Sequence, residues 1–191
     1  MSKGAVTREA ILDTASSLAR SVGLGGITIG TLASRAELSK SGLYAHFKSK
    51  ESLQVQVLEH TRARFVAQVV APALTAPRGE ARIRALFENW LAWDQQPGGC
   101  LFVAASSELD DQPGPVRERL VRDQQDWLDS IAEVFRTGVS EGQFSGSPEQ
   151  FAFELDGVML SHHMSSRLLA DGLSVERARV AFEALLDRAR V

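Results

Sequence analysis

The 191-residue sequence holds a single cysteine, Cys100, which excludes an internal disulfide and a cysteine-built zinc cage and fits a reducing compartment. No stretch reaches the roughly 20 apolar residues that a membrane span requires, and the opening MSKGAVTREAILDTA lacks the apolar run of a signal peptide, so the expected location is the cytoplasm. Period-two alternation and runs of β-branched residues are missing as well, which removes strands as the main building unit. There is no HExxH pattern, nucleophile elbow or glycine-rich phosphate loop. His162 and His163 are neighbours in sequence, so on a helix they point about 100° apart and do not face one compact metal site. These absences leave no metal, no cofactor and no catalytic constellation, and the chain is not expected to be an enzyme.

What is present is helical periodicity from end to end, in a chain with 44% hydrophobic and 24% charged residues and a net charge of -3. Such a chain can bury a sizeable core. The charge is unevenly spread. Residues 1–64 carry nine Lys and Arg against five acids, for +4, and the remainder carries twelve against nineteen, for -7. A basic head on an acidic body suits a polyanion-binding segment joined to one that is not, although solvated helix faces alone would give the same asymmetry.

The pattern resolves the head into four helices. An apolar stripe of Ala10, Ile11, Ala15, Leu18, Ala19 and Val22 follows Thr7 as N-cap and stops at Gly23, predicting a first helix over 7–22. Thr28 caps a short second helix carrying Leu32, Ala33 and Ala36, and Ser39 caps a third over 40–47. Ser49 caps the fourth, a linker helix over about 49–71 that should end at Val70 or Ala71, because Pro72 lacks the donor and disfavours helix before it. Two short helices joined by a tight turn and braced by a longer one form a helix-turn-helix unit. On the third helix Leu43 and Phe47 face inward, while Lys40, Ser41 and Tyr44 can face outward at the end that enters the major groove. Gly42 permits close approach there. Lys48 and Lys50 stand where free amides and positive charge can hold a phosphate.

The stretch TIGTLASRAELSKSGLYAHFKSKESL resembles the DNA-binding segment of the TetR family of bacterial transcriptional regulators (TetR/AcrR-like), over about Thr7 to Val57. By position the resemblance implies phosphate contacts from Thr28, Tyr44, His46 and Lys50, and contacts to base edges or nearby phosphates from Ser39, Lys40, Ser41 and Gly42. Leu32, Ala33, Leu38, Leu43 and Phe47 would form its core. Two positions depart from the pattern. Glu37 stands where the family usually places the turn glycine, so a non-glycine residue must accept a left-handed conformation. Gly30 replaces a polar or basic residue, which removes one contact.

The remainder reads as a second helical domain, so the expected class is all-α, with a helix-turn-helix DNA-binding domain over 1–50 and a helical effector-binding and dimerisation domain over 51–191. ARIRALFENWLAWDQQ, CLFVAASSEL, a long helix from Pro115, PEQFAFELDGVMLSHHMSSRLLADG and LSVERARVAFEALLDRARV are its segments. The family's body binds a small molecule and pairs its last two helices with those of a twin, so the resemblance implies a homodimeric repressor on a palindromic double-stranded operator, released by an effector. Leu155, Met159, Ser166, Leu169, Ala178, Phe182 and Leu185 have the spacing for the dimer face, and equally for an intramolecular core. Phe87, Trp90, Trp93, Phe102, Ser106, Trp127, Ile131 and His162 suit a cavity for a small, mostly hydrophobic molecule; ordinary packing would use the same residues. The other readings of the chain are a helical protein-interaction module, or a thiol-dependent enzyme using Cys100, whose bland alternative is a small buried core residue.

Overall fold

The computed structural model describes residues 3–191, with side chains from residue 8 onward. It is all helical apart from one isolated bridge between Phe144 and Arg190, with nine helices among the described residues. They are α1 (Lys3–Val22), α2 (Ile29–Ala36), α3 (Lys40–Phe47), α4 (Lys50–Phe65), α5 (Glu80–Asp94), α6 (Leu101–Leu109), α7 (Pro115–Ser140), α8 (Pro148–Arg167) and α9 (Ser174–Ala189). After α4 the chain winds through a π-helical turn, Val66–Val70, and one further helical turn, Ala71–Leu74. None of the described helices is long and apolar enough to cross a membrane.

Two boundaries differ from the sequence expectation. Helix α1 begins at Lys3, so Thr7 lies inside it rather than capping it, with its side chain outside the described residues. Pro72 does not end the linker. The π-helical turn shifts the hydrogen-bond register, so that Pro72 falls in the first turn of a new helical segment, where its missing N–H leaves no gap.

The chain packs into two compact units, divided elsewhere than at residue 50. The first runs to Arg64 and takes back Pro97–Arg122; the second comprises Phe65–Gln96 and Asp123–Val191. In the first, Ile11, Leu12, Ala15 and Ala19 of α1, Leu32 and Ala33 of α2, Leu43 and Phe47 of α3, and Leu53, Val57 and Leu58 of α4 are buried. Each large side chain among them contributes roughly 1.5–3 kcal/mol on leaving water. Leu38 departs from the expected core and is 40% exposed, because it follows the left-handed Glu37 in the turn and the chain reverses there. Polar contacts join α1 to α4: Arg8 donates to Gln56 at 2.7 Å, Ser16 and Thr61 share a buried hydroxyl bond at 3.2 Å, and Arg64 donates to Asp13 at 2.6 Å.

In the second unit aromatic rings carry much of the packing. Phe135 stacks on Phe144 and on Phe151, with centroids 4.9 and 4.2 Å apart, and Phe87 stacks on Phe182 at 4.1 Å. Gly138 makes room for this, since a Cβ there would lie 2.4 Å from the Phe144 ring. Ser147 accepts the Gln150 N–H at 3.2 Å and so caps α8, with Pro148 in its first turn. Helices α8 and α9 pack on each other, joined by a short loop.

Candidate nucleic-acid interface

Local chemistry places α2 and α3. Thr28 and Thr31 form a reciprocal cap: the Thr31 N–H donates to Thr28 Oγ1 at 3.0 Å, and the Thr28 N–H donates to Thr31 Oγ1 at 2.9 Å. Glu37 ends α2 in the left-handed region at φ 55°, ψ 37°, as the missing turn glycine requires, and its N–H donates to the Ala33 carbonyl. Ser39 then caps α3 by accepting the Gly42 N–H at 3.1 Å. Lys48 closes α3 at φ 61°, ψ -41°, a second positive φ without a glycine. Ser49 accepts the Ser52 N–H at 3.0 Å and opens α4.

The result sorts the helix-turn-helix residues by chemistry. Leu43 and Phe47 are fully buried, whereas Ser39, Lys40, Ser41, Gly42, Tyr44, His46, Lys48 and Lys50 are exposed and Thr28 is half-buried. Tyr44 is 60% exposed, which burial alone would not select for an aromatic ring. Gly30 leaves an open notch lined by Ile29, Lys40, Ser41 and Tyr44; a Cβ there would lie 3.7 Å from the Lys40 stem. Lys50 has a structural partner as well, since its Nζ donates to the Gly25 carbonyl at 2.7 Å. A row of short polar side chains and cations at a helix N-terminus, held on a buried apolar underside, can hydrogen-bond to base edges and phosphates.

The comparisons with known proteins agree. Residues 11–57 match the family described as "Bacterial regulatory proteins, tetR family", and residues 79–182 match "Tetracyclin repressor-like, C-terminal domain". The chain belongs to the TetR family. It is a DNA-binding transcriptional regulator and not an enzyme. Among relatives, it is 27% identical over 169 residues to the HTH-type transcriptional repressor NemR of Escherichia coli K12, covering 85% of this chain and 84% of NemR. A TetR transcriptional regulator from Chloroflexus aurantiacus superposes with a TM-score of 0.85 over the full length of both chains at 25% identity. AibR, solved with isovaleryl coenzyme A and operator DNA, superposes with a TM-score of 0.75 at 21% identity, covering 94% of this chain and 98% of AibR, which is a likeness of fold.

The residues expected to line an effector cavity are divided between the units. Phe102 and Ser106 belong to the first, where the Ser106 hydroxyl donates to the Phe102 carbonyl at 2.8 Å. Phe87, Trp90, Trp93, Trp127, Ile131 and His162 belong to the second. There Trp93 and Trp127 both pack edge-on to Phe65, at 5.5 and 5.1 Å, and Trp90 packs edge-on to His162 at 6.1 Å. Burial pushes the Asp156 carboxyl up, with the neighbouring Trp127 acting in the opposite direction.

Several relationships have no local signal. The adjacent imidazoles both reach Asp94: His163 Nδ1 lies 2.7 Å from Oδ1, and His162 Nε2 lies 3.7 Å from Oδ2. Asp94 and His162 are buried, and neither His162 nitrogen has a hydrogen-bond partner. Among the described residues no group of three or more such side chains could hold a metal ion. Cys100 is buried at the N-cap position of α6.

The expected dimer face needs correction. Leu155, Met159 and Phe182 are buried within the second unit itself, and Ala178 and Leu185 are largely buried at the floor of the groove between α8 and α9, while Ser166 is half-buried and Leu169 exposed. A spacing of three and four cannot say which stripe of a helix faces the chain's own core. The outward stripe of α8 is Phe153, Gly157, Leu160, Ser161 and Met164, with Leu168 just beyond; Val180 and Ala184 are exposed on α9.

Proposed function

We propose that this regulator is a repressor that binds a palindromic duplex operator as a homodimer in the cytoplasm and leaves it when a small, mostly hydrophobic molecule is bound. The observation that carries the reading is the outward row of α3, Ser39 to His46, mounted on the buried Leu43 and Phe47. Lys40, Ser41 and Gly42 would meet base edges, with Ser39 beside them, while Thr28, Tyr44, His46, Lys48 and Lys50 would hold phosphates. NemR is named a repressor and AibR binds operator DNA, which supports the same role here.

One recognition helix reads few base pairs, so two copies on paired half-sites supply the specificity. Phe153, Leu160 and Met164 of α8, Leu168 just beyond it and Val180 of α9 are exposed, and the groove between the two helices is lined by the small residues Gly157, Ser161, Ala181 and Ala184 together with the charged Glu154, Arg177 and Arg188, which suits close packing against a second α8–α9 pair. The effector would contact the aromatic side chains around Trp90, Trp93 and Trp127. It weakens DNA binding only by its differential affinity for the bound and released states.

The test is selection of bound fragments from random-sequence duplex DNA, followed by binding at increasing salt. Enrichment of one palindrome, with affinity falling log-linearly with salt, is expected. Lys40→Ala should change which sequence is preferred. Absence of any enriched sequence ends the reading.

A further inference from the structure

Outside the helix-turn-helix, one carboxylate enters the loop that precedes it. Glu108 of α6 accepts the Leu24 N–H on Oε1 at 3.1 Å and the Gly25 N–H on Oε2 at 2.7 Å, using both oxygens on adjacent backbone donors 83 and 84 positions away. The carbonyls of the same two residues turn the other way, onto α4: Leu24 O accepts from Gln54 Nε2 at 2.8 Å, and Gly25 O accepts from Lys50 Nζ at 2.7 Å. Two consecutive residues are therefore held by their N–H groups from α6 and by their C=O groups from α4. The loop is shaped to this contact. Gly23 sits at φ +81°, and a Cβ on it would lie 2.6 Å from Glu108 Oε1; a Cβ on Gly25 would lie 3.2 Å from Oε2.

Three of the four residues at 23–26 are glycine, so the loop has little intrinsic preference for one path and needs bonds from outside to fix it. Its exit fixes the start of α2, because Thr28, the cap residue, stands three positions after Gly25. Helix α2 in turn packs on α3. We infer that Glu108 is a positioning residue for DNA binding: its paired acceptance of the Leu24 and Gly25 amides sets the path of the α1–α2 loop and hence the placement of α3. The inference rests on the reading of α3 as the DNA-contacting helix. Helix α6 lies in the segment matched by the C-terminal family description, and it carries this role from outside the helix-turn-helix.

Charge and position make opposite predictions for Glu108→Gln, which separates them. Removing a negative charge near the phosphates would, by electrostatics alone, tighten binding to every duplex. A glutamine can accept only one of the two N–H groups and turns its own NH2 toward the other, so the positioning role predicts weaker binding to the preferred sequence. The probes are the duplex that wild-type protein selects from a random library and an unselected duplex of equal length. The expected result is a loss of roughly tenfold for the selected duplex, the scale of losing a hydrogen bond to a charged acceptor, with no loss for the unselected one. Gly25→Ala approaches the same contact from the loop, keeps the charge, and should act in the same direction; it carries the test if Glu108→Gln does not fold. Amide exchange in the wild type supplies an independent reading, with Leu24 and Gly25 protected. Unchanged or tighter binding to the selected duplex in the folded variants, or unprotected Leu24 and Gly25 amides, overturns the role of Glu108. A wild type that selects no sequence overturns the DNA-binding reading itself, and the inference with it.

Discussion

Arg190, the penultimate residue, holds Glu80 in a forked ion pair across 110 positions, with Nε 2.9 Å from Oε2 and Nη2 2.6 Å from Oε1. Arg84 adds a bond to Glu80 at 2.8 Å one helical turn along α5 and also pairs with Glu183 of α9, so the network joins α5, α9 and the end of the chain. The Arg190 hydrogen bond, against some cost of burial, lowers the Glu80 carboxyl to about 2. A carboxyl with a depressed folded-state pKa contributes stability above its ordinary value of 4.5 and loses it as pH falls from there toward 2.

Glu80→Gln should therefore lower stability by about 1 kcal/mol at pH 7, discounted because Glu80 and Arg190 are 27% and 37% exposed. The gap between variant and wild type should close as pH falls from 4.5 toward 2. Urea unfolding across that range reads it directly. A gap of constant size would mean that the carboxylate contributes nothing through its charge.

The two non-glycine turns of the head give a second prediction. Glu37 at φ 55° and Lys48 at φ 61° each bear a side chain where glycine is at ease, at a cost of order 1 kcal/mol. Glu37→Gly and Lys48→Gly should each stabilise the protein by about that amount in urea unfolding. Their effects on DNA should differ. Lys48→Gly removes a cation placed for phosphate and should weaken binding to all sequences while reducing the salt slope by about 0.9. Glu37→Gly should leave the slope unchanged. Destabilisation by either glycine would show that the turn is not strained.

The parts legible in the sequence are those decided within a few residues. Thr28, Ser39 and Ser49 cap their helices because a side-chain oxygen reaches an amide three positions on, and that spacing is visible without coordinates. The left-handed Glu37 was legible for the same reason. The passage through Pro72 was not, because it depends on a π-helical register shift that no single residue announces. Nor was the inward orientation of Met159 and Phe182, since a period of 3.6 identifies a stripe without saying what lies opposite. The contact of Glu108 with Leu24 and Gly25, and the convergence of His162 and His163 on Asp94, unite residues 68 to 84 positions apart. Only the packed chain reveals them.

A third prediction concerns the effector. With Trp93 and Trp127 on the same Phe65 ring, a molecule that enters among these side chains should alter tryptophan fluorescence. Hydrophobic, neutral metabolites can be screened on that signal, and each hit carried into DNA binding. Linkage demands reciprocity: if a compound weakens the selected duplex by some factor, the duplex must weaken the compound by the same factor. A hit that changes fluorescence without changing DNA affinity occupies the protein without regulating it.

The last prediction separates the two faces of α8. Leu160 and Met164 are 39% and 50% exposed on the stripe that includes Phe153 at 71%, whereas Met159 is fully buried in the same helix. If the outward stripe pairs with a second copy, Leu160→Glu combined with Met164→Glu should give a folded monomer, because each side chain leaves an apolar interface without disturbing the chain's own core. Met159→Glu should instead lose cooperative unfolding, since it places an unpaired carboxylate where no water reaches. Light scattering reports the mass, circular dichroism the fold, and affinity for the selected palindrome the consequence. The monomer should bind it at least tenfold more weakly, because linking two heads makes the second half-site contact intramolecular. A double variant that stays dimeric would move the interface off this stripe, and a folded monomer from Met159→Glu would return it to the inward one.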